Sequence, residues 1–140
     1  MSVFFAPSTD GRIWKADIYV RTAHADIIAI QSQVDYLVKF IKGRKDLCAH
    51  KIYVDDGCSG MTFNRPGFQG MMKDLRSKSA DCVVVKDLPR LGRDIFEVAK
   101  LVDQVFPRLG VRFLSARDNV DSLLEYPLYG ALLRKGGVAI

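Results

Sequence analysis

Several residue types that define common classes of protein are scarce in this sequence. The 140 residues include only three cysteines and two histidines, and no two cysteines form a Cys-x-x-Cys pair. This spacing provides neither a zinc-binding pattern nor a disulfide framework, so we expect a reducing, cytoplasmic location. His24 and His50 have no paired carboxylate motif around them. We interpret each as a surface or internally satisfied histidine, and no metal ion is expected.

Long apolar runs and nucleotide-binding motifs are also missing. No run approaches the roughly 20 residues that cross a bilayer, so no membrane partner is expected, and residues 1–14 lack the apolar centre of a signal peptide. There is no Gly-x-x-x-x-Gly-Lys-Ser/Thr loop and no Gly-x-Gly-x-x-Gly pattern, so these kinds of nucleotide binding are unsupported. Six residues separate Cys58 from Arg65, one more than in the phosphate loop of thiol phosphatases, which disfavours that class.

The remaining composition is that of one globular domain with a basic excess. A content of 49% hydrophobic and 26% charged residues is ordinary for a folded domain, and 140 residues suffice for one core. The formal net charge of +5 is compatible with a nucleic-acid partner without demonstrating one.

Short β-branched runs alternate with stretches of helical periodicity. Strands are predicted at residues 16–20, 52–54, 82–85 and 111–114, and helices at 27–41, from 66 to about 75, and from about 94 until Pro107 and Gly110 end the helix. Residues from 118 onward are predicted to be loop-like, except for a short helix at 128–135. The alternation predicts an α/β fold, a mostly parallel central sheet with helices on both faces. We divide the chain into a lead-in (1–15), a main domain (16–122) and a tail (123–140).

Two arginines follow the third predicted strand. Arg90 and Arg93 are three residues apart where the next helix begins, and this spacing places them on one face. The C-terminal ends of parallel strands are where an open α/β sheet binds ligands, and a guanidinium fits two phosphate oxygens. The pair predicts a phosphate site. Two solvated surface arginines are the alternative explanation of this pair by itself.

Longer motifs extend this prediction along the chain. They are Tyr-Val-Arg-Thr-Ala (19–23), residues 30–33, Tyr-Val-Asp-Asp-Gly-Cys-Ser-Gly (53–60), Phe-Asn-Arg-Pro-Gly-Phe (63–68), Val-Lys-Asp-Leu-Pro-Arg-Leu-Gly-Arg-Asp (85–94), Val-Arg-Phe (111–113) and Asn-Val-Asp-Ser (119–122). In this order and spacing, residues 16–122 resemble the catalytic domain of the serine recombinases. This is the resolvase/invertase family, and the resemblance is nearest its large and transposon-borne members.

The resemblance implies site-specific DNA recombination. In this family a serine hydroxyl attacks a DNA phosphodiester to form a 5′-phosphoserine link, arginines stabilise the transition state, and strands are exchanged before rejoining. No cofactor is implied. The family's catalytic arginines match Arg21, Arg65, Arg90 and Arg93, and its first-helix glutamine matches Gln33. All five are expected to contact the phosphate, with a solvent-facing Gln33 as the alternative.

The nucleophile position departs from the family pattern. Ala23 stands where the family has its serine, and a methyl group cannot attack phosphorus. Thr22 is adjacent, but successive strand residues point to opposite faces, and Ser59 is not where the family's nucleophile lies. Pro89 replaces a residue that is often polar. We therefore expect this copy to be catalytically impaired.

The resemblance also implies a reduced set of contacts with DNA. Family members continue into a long dimer helix and a DNA-binding domain, and we expect both to be missing from a chain that stops at Ile140. DNA binding is then expected to be weak or non-specific, with a homodimer or a heteromer with an intact recombinase as a possible assembly. One alternative is a non-catalytic module that pairs with and regulates an intact recombinase. Phe96 and Leu101 would suit such a contact surface, although core packing explains these two residues equally well. Another is an active enzyme that uses Thr22 or Ser59.

Overall fold

The computed structural model describes residues 11–124 and 127. Five strands and several helices alternate along this part of the chain. The strands are β1 (Trp14–Thr22), β2 (Leu47–Asp56), β3 (Cys82–Val85), β4 (Arg112–Ser115) and β5 (Val120–Asp121). The helices are α1 (Ile27–Lys42), α2 (Pro66–Arg76), α3 (Leu88–Leu91), α4 (Ile95–Lys100) and α5 (Phe106–Leu109), with a π-helical turn (Leu101–Val105) joining the last two.

The strands form one sheet in the order β2-β1-β3-β4-β5. β1 pairs in parallel with β2 and β3, and β3 pairs in parallel with β4. Only β5 runs antiparallel, against β4, among the strands of the described residues. The C-terminal ends of β1, β2 and β3 therefore meet at one edge, the usual place for a ligand in such a sheet. The prediction of a mostly parallel α/β sheet is confirmed.

Helices cover both faces of the sheet, as predicted. One core packs α1 against one face, with Ile30, Leu37 and Ile41 meeting Ile18 and Val84. The other core packs the remaining helices against the opposite face. Its members include Phe68, Met71, Leu75, Val98, Phe106, Val83 and Phe113. β3 is buried throughout because it has a helical layer on each side.

The predicted helices begin close to the expected residues. Asp26 caps α1 through the Ala29 N–H, Pro66 occupies the first turn of α2, and Asp94 caps α4. Gly110 ends the last helix, as predicted, with φ at +72°, but Pro107 does not end it, because α5 continues through the proline to Leu109. A π-helical turn is wider than an α-helical one, and it accommodates the proline ring. Leu101, the first residue of this turn, lies three residues after the buried Val98 and is itself buried in the core.

The strands differ from the prediction mainly in length. β1 begins at Trp14, inside the predicted lead-in, and continues through Arg21 and Thr22, which were predicted to be loop. β2 is longer than residues 52–54 because, as an edge strand, it keeps its pairing with β1 while exposing many side chains. β5 lies in the stretch predicted to be loop-like. The predicted helix at 128–135 is outside the described residues. Among those described, no helix is both long enough and apolar enough to span a membrane.

Candidate functional site

A pocket of about 250 Å³ opens beside the C-terminal end of β1. The residues that line it are Arg21, Thr22, Ala23, His24, Asp26, Arg90 and Arg93. Three of the four arginines predicted to contact phosphate, Arg21, Arg90 and Arg93, therefore line the same pocket as the position at which the nucleophile was expected. Ala23 is exposed there, so its methyl group is accessible from solvent.

Arg21 is buried, and its guanidinium holds two loops together. It donates from Nε to the Arg90 carbonyl oxygen (3.1 Å), from Nη1 to that of Cys58 (2.9 Å) and from Nη2 to that of Pro89 (2.6 Å). Burial lowers the pKa of Arg21, and the nearby positive charge of Arg65 lowers it further. A guanidinium still remains protonated in proteins, so Arg21 contributes a fixed positive charge.

Gln33 lies behind the pocket and holds the backbone of Arg21. Its Oε1 accepts a hydrogen bond from the Arg21 N–H (3.2 Å), and its Nε2 donates to the Arg21 carbonyl oxygen (3.0 Å). Gln33 is buried, which removes the alternative of a solvent-facing side chain. Because its amide is already bonded at both ends, the geometry favours a positioning role for Gln33, and direct phosphate contact stays a prediction.

Arg65 is also buried and does not line the pocket. It donates to the Thr62 carbonyl oxygen from Nε (2.6 Å), to the Leu91 carbonyl oxygen from Nη2 (2.7 Å) and to the Tyr19 hydroxyl from Nη1 (2.8 Å). The rings of Tyr19, Phe63 and Phe68 surround its guanidinium. Arg65 therefore fixes the segment that carries Arg90 and Arg93 from behind.

Asp55 links Arg65, through the Tyr19 hydroxyl, to the start of α2. This role was not predicted from the sequence. The Tyr19 hydroxyl donates to Asp55 Oδ2 (2.6 Å), while the Gly67 and Phe68 N–H groups donate to the same carboxylate (2.7 and 2.9 Å). Burial raises the pKa of Tyr19, and the Asp55 carboxylate raises it further, so the phenol stays neutral. The position of Asp55 at the end of β2 was the only available signal, because Asp55 lies eleven residues before Pro66 in the sequence.

The guanidiniums of Arg90 and Arg93 make fewer hydrogen bonds within the protein than those of Arg21 and Arg65. Arg90 Nη1 lies 3.2 Å from Asp87 Oδ2 in a partly exposed ion pair, and Arg90 Nε is buried without a hydrogen-bond partner. Arg93 is exposed, and its main-chain N–H donates to the Gly60 carbonyl oxygen (2.8 Å). A buried donor without a partner is unusual in a folded protein.

Gly60 allows these side chains to pack closely. A Cβ atom added to Gly60 would lie 2.6 Å from Arg21 Nη2 and 2.8 Å from Arg93 Cγ. Real Cβ atoms do not approach other atoms this closely, so any larger residue would displace one of the arginines. The glycine was part of the sequence motif, but its contact with Arg21 was not predictable from it.

The two alternative nucleophiles are engaged in other bonds. The Thr22 hydroxyl donates to Asp56 Oδ1 (2.5 Å) and accepts from the Gly57 N–H (3.1 Å), although Thr22 does line the pocket. These bonds from Thr22 and from the Asp26 N–H lower the pKa of Asp56, which makes Asp56 a weak base. Ser59 Oγ accepts from the Met61 N–H (3.1 Å) in a local turn, and Ser59 does not line the pocket.

Comparison with known proteins agrees with the fold and the motifs. Residues 16–129 match the model of the resolvase N-terminal domain. A resolvase/recombinase of Pseudomonas putida is 34% identical over 93 residues, which are 65% of this chain and 49% of that protein. The chain therefore spans about half the length of this relative.

Solved structures show the same similarity. The N-terminal catalytic domain of TP901-1 integrase has a TM-score of 0.75 at 27% identity, over 88% of this chain and 92% of that one. The C-terminal catalytic domain of ISC1926 TnpA, an IS607-like serine recombinase, has a TM-score of 0.64 at 25% identity, over 73% and 67%. A resolvase family site-specific recombinase from Streptococcus pneumoniae shares the fold, with a TM-score of 0.70 at 23% identity over 89% and 86%. On the family match, the motifs and the fold together, this chain belongs to the resolvase family of recombinases.

Proposed function

We propose that the arginine pocket binds a DNA phosphodiester, as the catalytic site of a site-specific recombinase does, and that Ala23 prevents this copy from cleaving it. The observation that supports the proposal is the shared lining of one pocket by Arg21, Arg90, Arg93 and Ala23. Three arginines that line one pocket with the exposed Ala23 would supply the positive charge that a phosphodiester requires, at the position where the family has its serine.

The three pocket arginines would have different roles in binding a phosphate. Arg93 is exposed and the Arg90 side chain is partly exposed, so these two would contact the phosphate oxygens directly. Arg21 already donates to three carbonyl oxygens, so it would add positive charge and hold the loops. Arg65 and Gln33 would position this arrangement from behind the pocket.

Cleavage would require an oxygen nucleophile and a place for its proton. Ala23 has no hydroxyl, and the Thr22 hydroxyl is bonded to Asp56. A bound phosphodiester would therefore remain intact in this copy. We further propose that the partner is DNA, bound weakly and in a salt-sensitive way, and that the chain associates with itself or with an intact recombinase.

The binding proposal is tested by fluorescence anisotropy with a short labelled DNA duplex over a range of salt concentrations. Arg93→Ala is expected to weaken binding and to reduce the slope of log affinity against log salt by about 1, as for the loss of one phosphate contact. Arg90→Ala is expected to weaken binding as well. Arg76→Ala is the matched control, because Arg76 is exposed and lies at the far end of α2. Equal effects of Arg76→Ala and Arg93→Ala would contradict the proposal.

A second candidate function is regulation of an intact recombinase by direct association. Leu101 is buried and cannot contribute to a contact surface, whereas Phe96 is exposed, as are Ile27 and Ile28 at the start of α1. Ile27 and Ile28 are 71% and 79% exposed and follow the pocket residue Asp26 directly. Mixing the protein with an active relative is expected to change the recombination rate, and Ile28→Lys to reduce that change. An unchanged rate on mixing removes this candidate.

A further inference from the structure

A second cluster of chemically capable side chains lies away from the arginine pocket. Asp17 of β1, His50 of β2 and Asp74 of α2 can each present one ligand atom, and these atoms all lie within 4.8 Å of one another. None of the three residues lines the arginine pocket. His50 is bonded internally, to Asp17, as one of the two interpretations of this histidine had it. The sequence around it has no paired carboxylates, but the fold brings both carboxylates to it from other elements.

A β-bulge brings this histidine to Asp17. Ala16 pairs with Ala49 and Ile18 pairs with Ile52, so two residues of β2, His50 and Lys51, lie opposite the single residue Asp17. His50 Nδ1 lies 2.8 Å from Asp17 Oδ1, and the Lys51 N–H donates to the same oxygen (3.3 Å). Bulges commonly redirect a side chain next to a functional site. No pattern in the sequence predicts this bulge.

The two carboxylates are buried and incompletely bonded. Asp17 has no exposed surface and Asp74 is 9% exposed, yet Asp17 Oδ2 and Asp74 Oδ2 are both buried without a hydrogen-bond partner. Lys51 Nζ lies 3.5 Å from Asp74 Oδ1, which is the other oxygen of that carboxylate. Burying a charged oxygen without a hydrogen-bond partner is costly, and a cation bound between the two carboxylates would offset that cost.

We propose that Asp17, His50 and Asp74 bind one divalent transition-metal ion, with zinc preferred. His50 Nδ1 lies 2.8 Å from Asp17 Oδ1 and 3.5 Å from Asp74 Oδ2. With bonds of about 2.1 Å, the ligand atoms of a tetrahedral zinc site lie roughly 3.4 Å apart. One imidazole and two carboxylates suit zinc, whereas magnesium and calcium prefer oxygen ligands alone.

The position of this cluster indicates a structural role for the ion. Its ligands come from β1, β2 and α2, so one ion would join three elements that are distant in sequence. His50 is partly exposed, which gives the ion a route from solvent and leaves the fourth coordination position for water. A proton shared by Asp17 and Asp74 would also satisfy the two oxygens, but it would not require the imidazole to converge on the same point.

The test is calorimetric titration of the chelator-treated full chain with zinc chloride. We expect one equivalent to bind, a matching cobalt(II) complex with visible absorption, and no binding of magnesium chloride. His50→Ala is expected to weaken zinc binding by more than about tenfold, because losing a residue that only hydrogen-bonds to a metal ligand already costs about tenfold or more in affinity. Asp74→Asn provides the same test if His50→Ala does not fold, which circular dichroism would show.

Two matched controls separate this site from adventitious binding. His24→Ala removes the only other histidine, and Cys48→Ser removes the exposed thiol two residues before His50. Both variants are expected to bind zinc as the wild type does. Absence of stoichiometric zinc binding in the wild type, or its loss in either control, overturns the proposal.

Discussion

Arg21 donates a hydrogen bond from its guanidinium Nε to the main-chain oxygen of Arg90, 3.1 Å away. One pocket arginine therefore holds the backbone of another. The neighbouring bonds from Arg21 to Pro89 and Cys58 extend this support to both loops that border the pocket. The charge of the pocket and the stability of its walls thus depend on the same side chain.

Arg21→Lys is expected to lower the free energy of unfolding by about 1–3 kcal/mol. One ammonium cannot bond to all three carbonyl oxygens that the guanidinium reaches, so partly buried oxygens are left without donors. Urea denaturation measures the effect. Arg93→Lys is the control, because Arg93 is exposed and its replacement is expected to change stability by less than about 0.5 kcal/mol. Equal losses in the two variants would show that Arg21 does not support the loops.

Tyr19→Phe removes the hydroxyl that joins Asp55 to Arg65. We expect a loss of about 1–3 kcal/mol in unfolding free energy, because each charged partner loses a buried hydrogen bond. Thermal and urea unfolding check this. Tyr36→Phe changes a tyrosine that is 40% exposed and is expected to be nearly neutral. A neutral Tyr19→Phe variant would mean that the buried bonds are replaceable.

Gly60→Ala is expected to weaken both folding and DNA binding. The added Cβ would lie 2.6 Å from Arg21 Nη2, so the guanidinium must move, at a cost of about 1–3 kcal/mol. Urea unfolding and duplex anisotropy measure the two effects. In the control Gly43→Ala the added Cβ lies 3.5 Å from the nearest atom, the Lys39 carbonyl oxygen, and little change is expected. Wild-type affinity in Gly60→Ala would count against the pocket geometry.

Thr22→Val is expected to raise the pKa of Asp56 from below its ordinary value of 3.8 towards that value, because the bond from Thr22 is the main cause of the lowering. A carboxyl with a lowered pKa stabilises the fold above pH 3.8, and this stabilisation is lost as the pH falls through the folded-state pKa. The variant should therefore lose less stability on acidification.

Carbon-13 NMR titration of the Asp56 carboxyl measures this pKa directly. Thr62→Val is the control, because the Thr62 hydroxyl accepts a bond from the Asn64 N–H, whereas the bonds that lower the pKa of Asp56 come from Thr22 and Asp26. An Asp56 pKa that does not change in Thr22→Val would indicate that the Thr22 hydroxyl is free for other chemistry.

Much of the fold was predictable from local pattern. The alternation of β-branched runs with helical stripes identified β3, α1 and α2 to within a residue or two, because their burial repeats along the chain. The short strand β5 was not identified, since its two residues pair with β4 across a turn rather than through a local pattern. The π-helical turn had no signal of its own, and the sequence left open whether Leu101 lies in the core, where the structure places it, or on a contact surface.

The residue types of the site were predictable from the sequence, but the separate role of each residue was not. Motif spacing selected Arg21, Arg65, Arg90 and Arg93, yet only three-dimensional packing determines that Arg65 lies behind the pocket and bonds to Leu91. The cluster around Asp17 was invisible to sequence reasoning, because a β-bulge and a helix assemble it from residues far apart in the chain.

The central claim is that the pocket is a phosphodiester site that lacks only its nucleophile. The most direct test is the yield of covalent protein–DNA adduct, after denaturation, with a pool of random-sequence duplexes at a concentration that saturates the pocket. We expect no adduct from the wild type, an adduct from Ala23→Ser, and its loss in Ala23→Ser combined with Arg90→Ala. An adduct formed by the wild type, or none formed by Ala23→Ser, would contradict the claim.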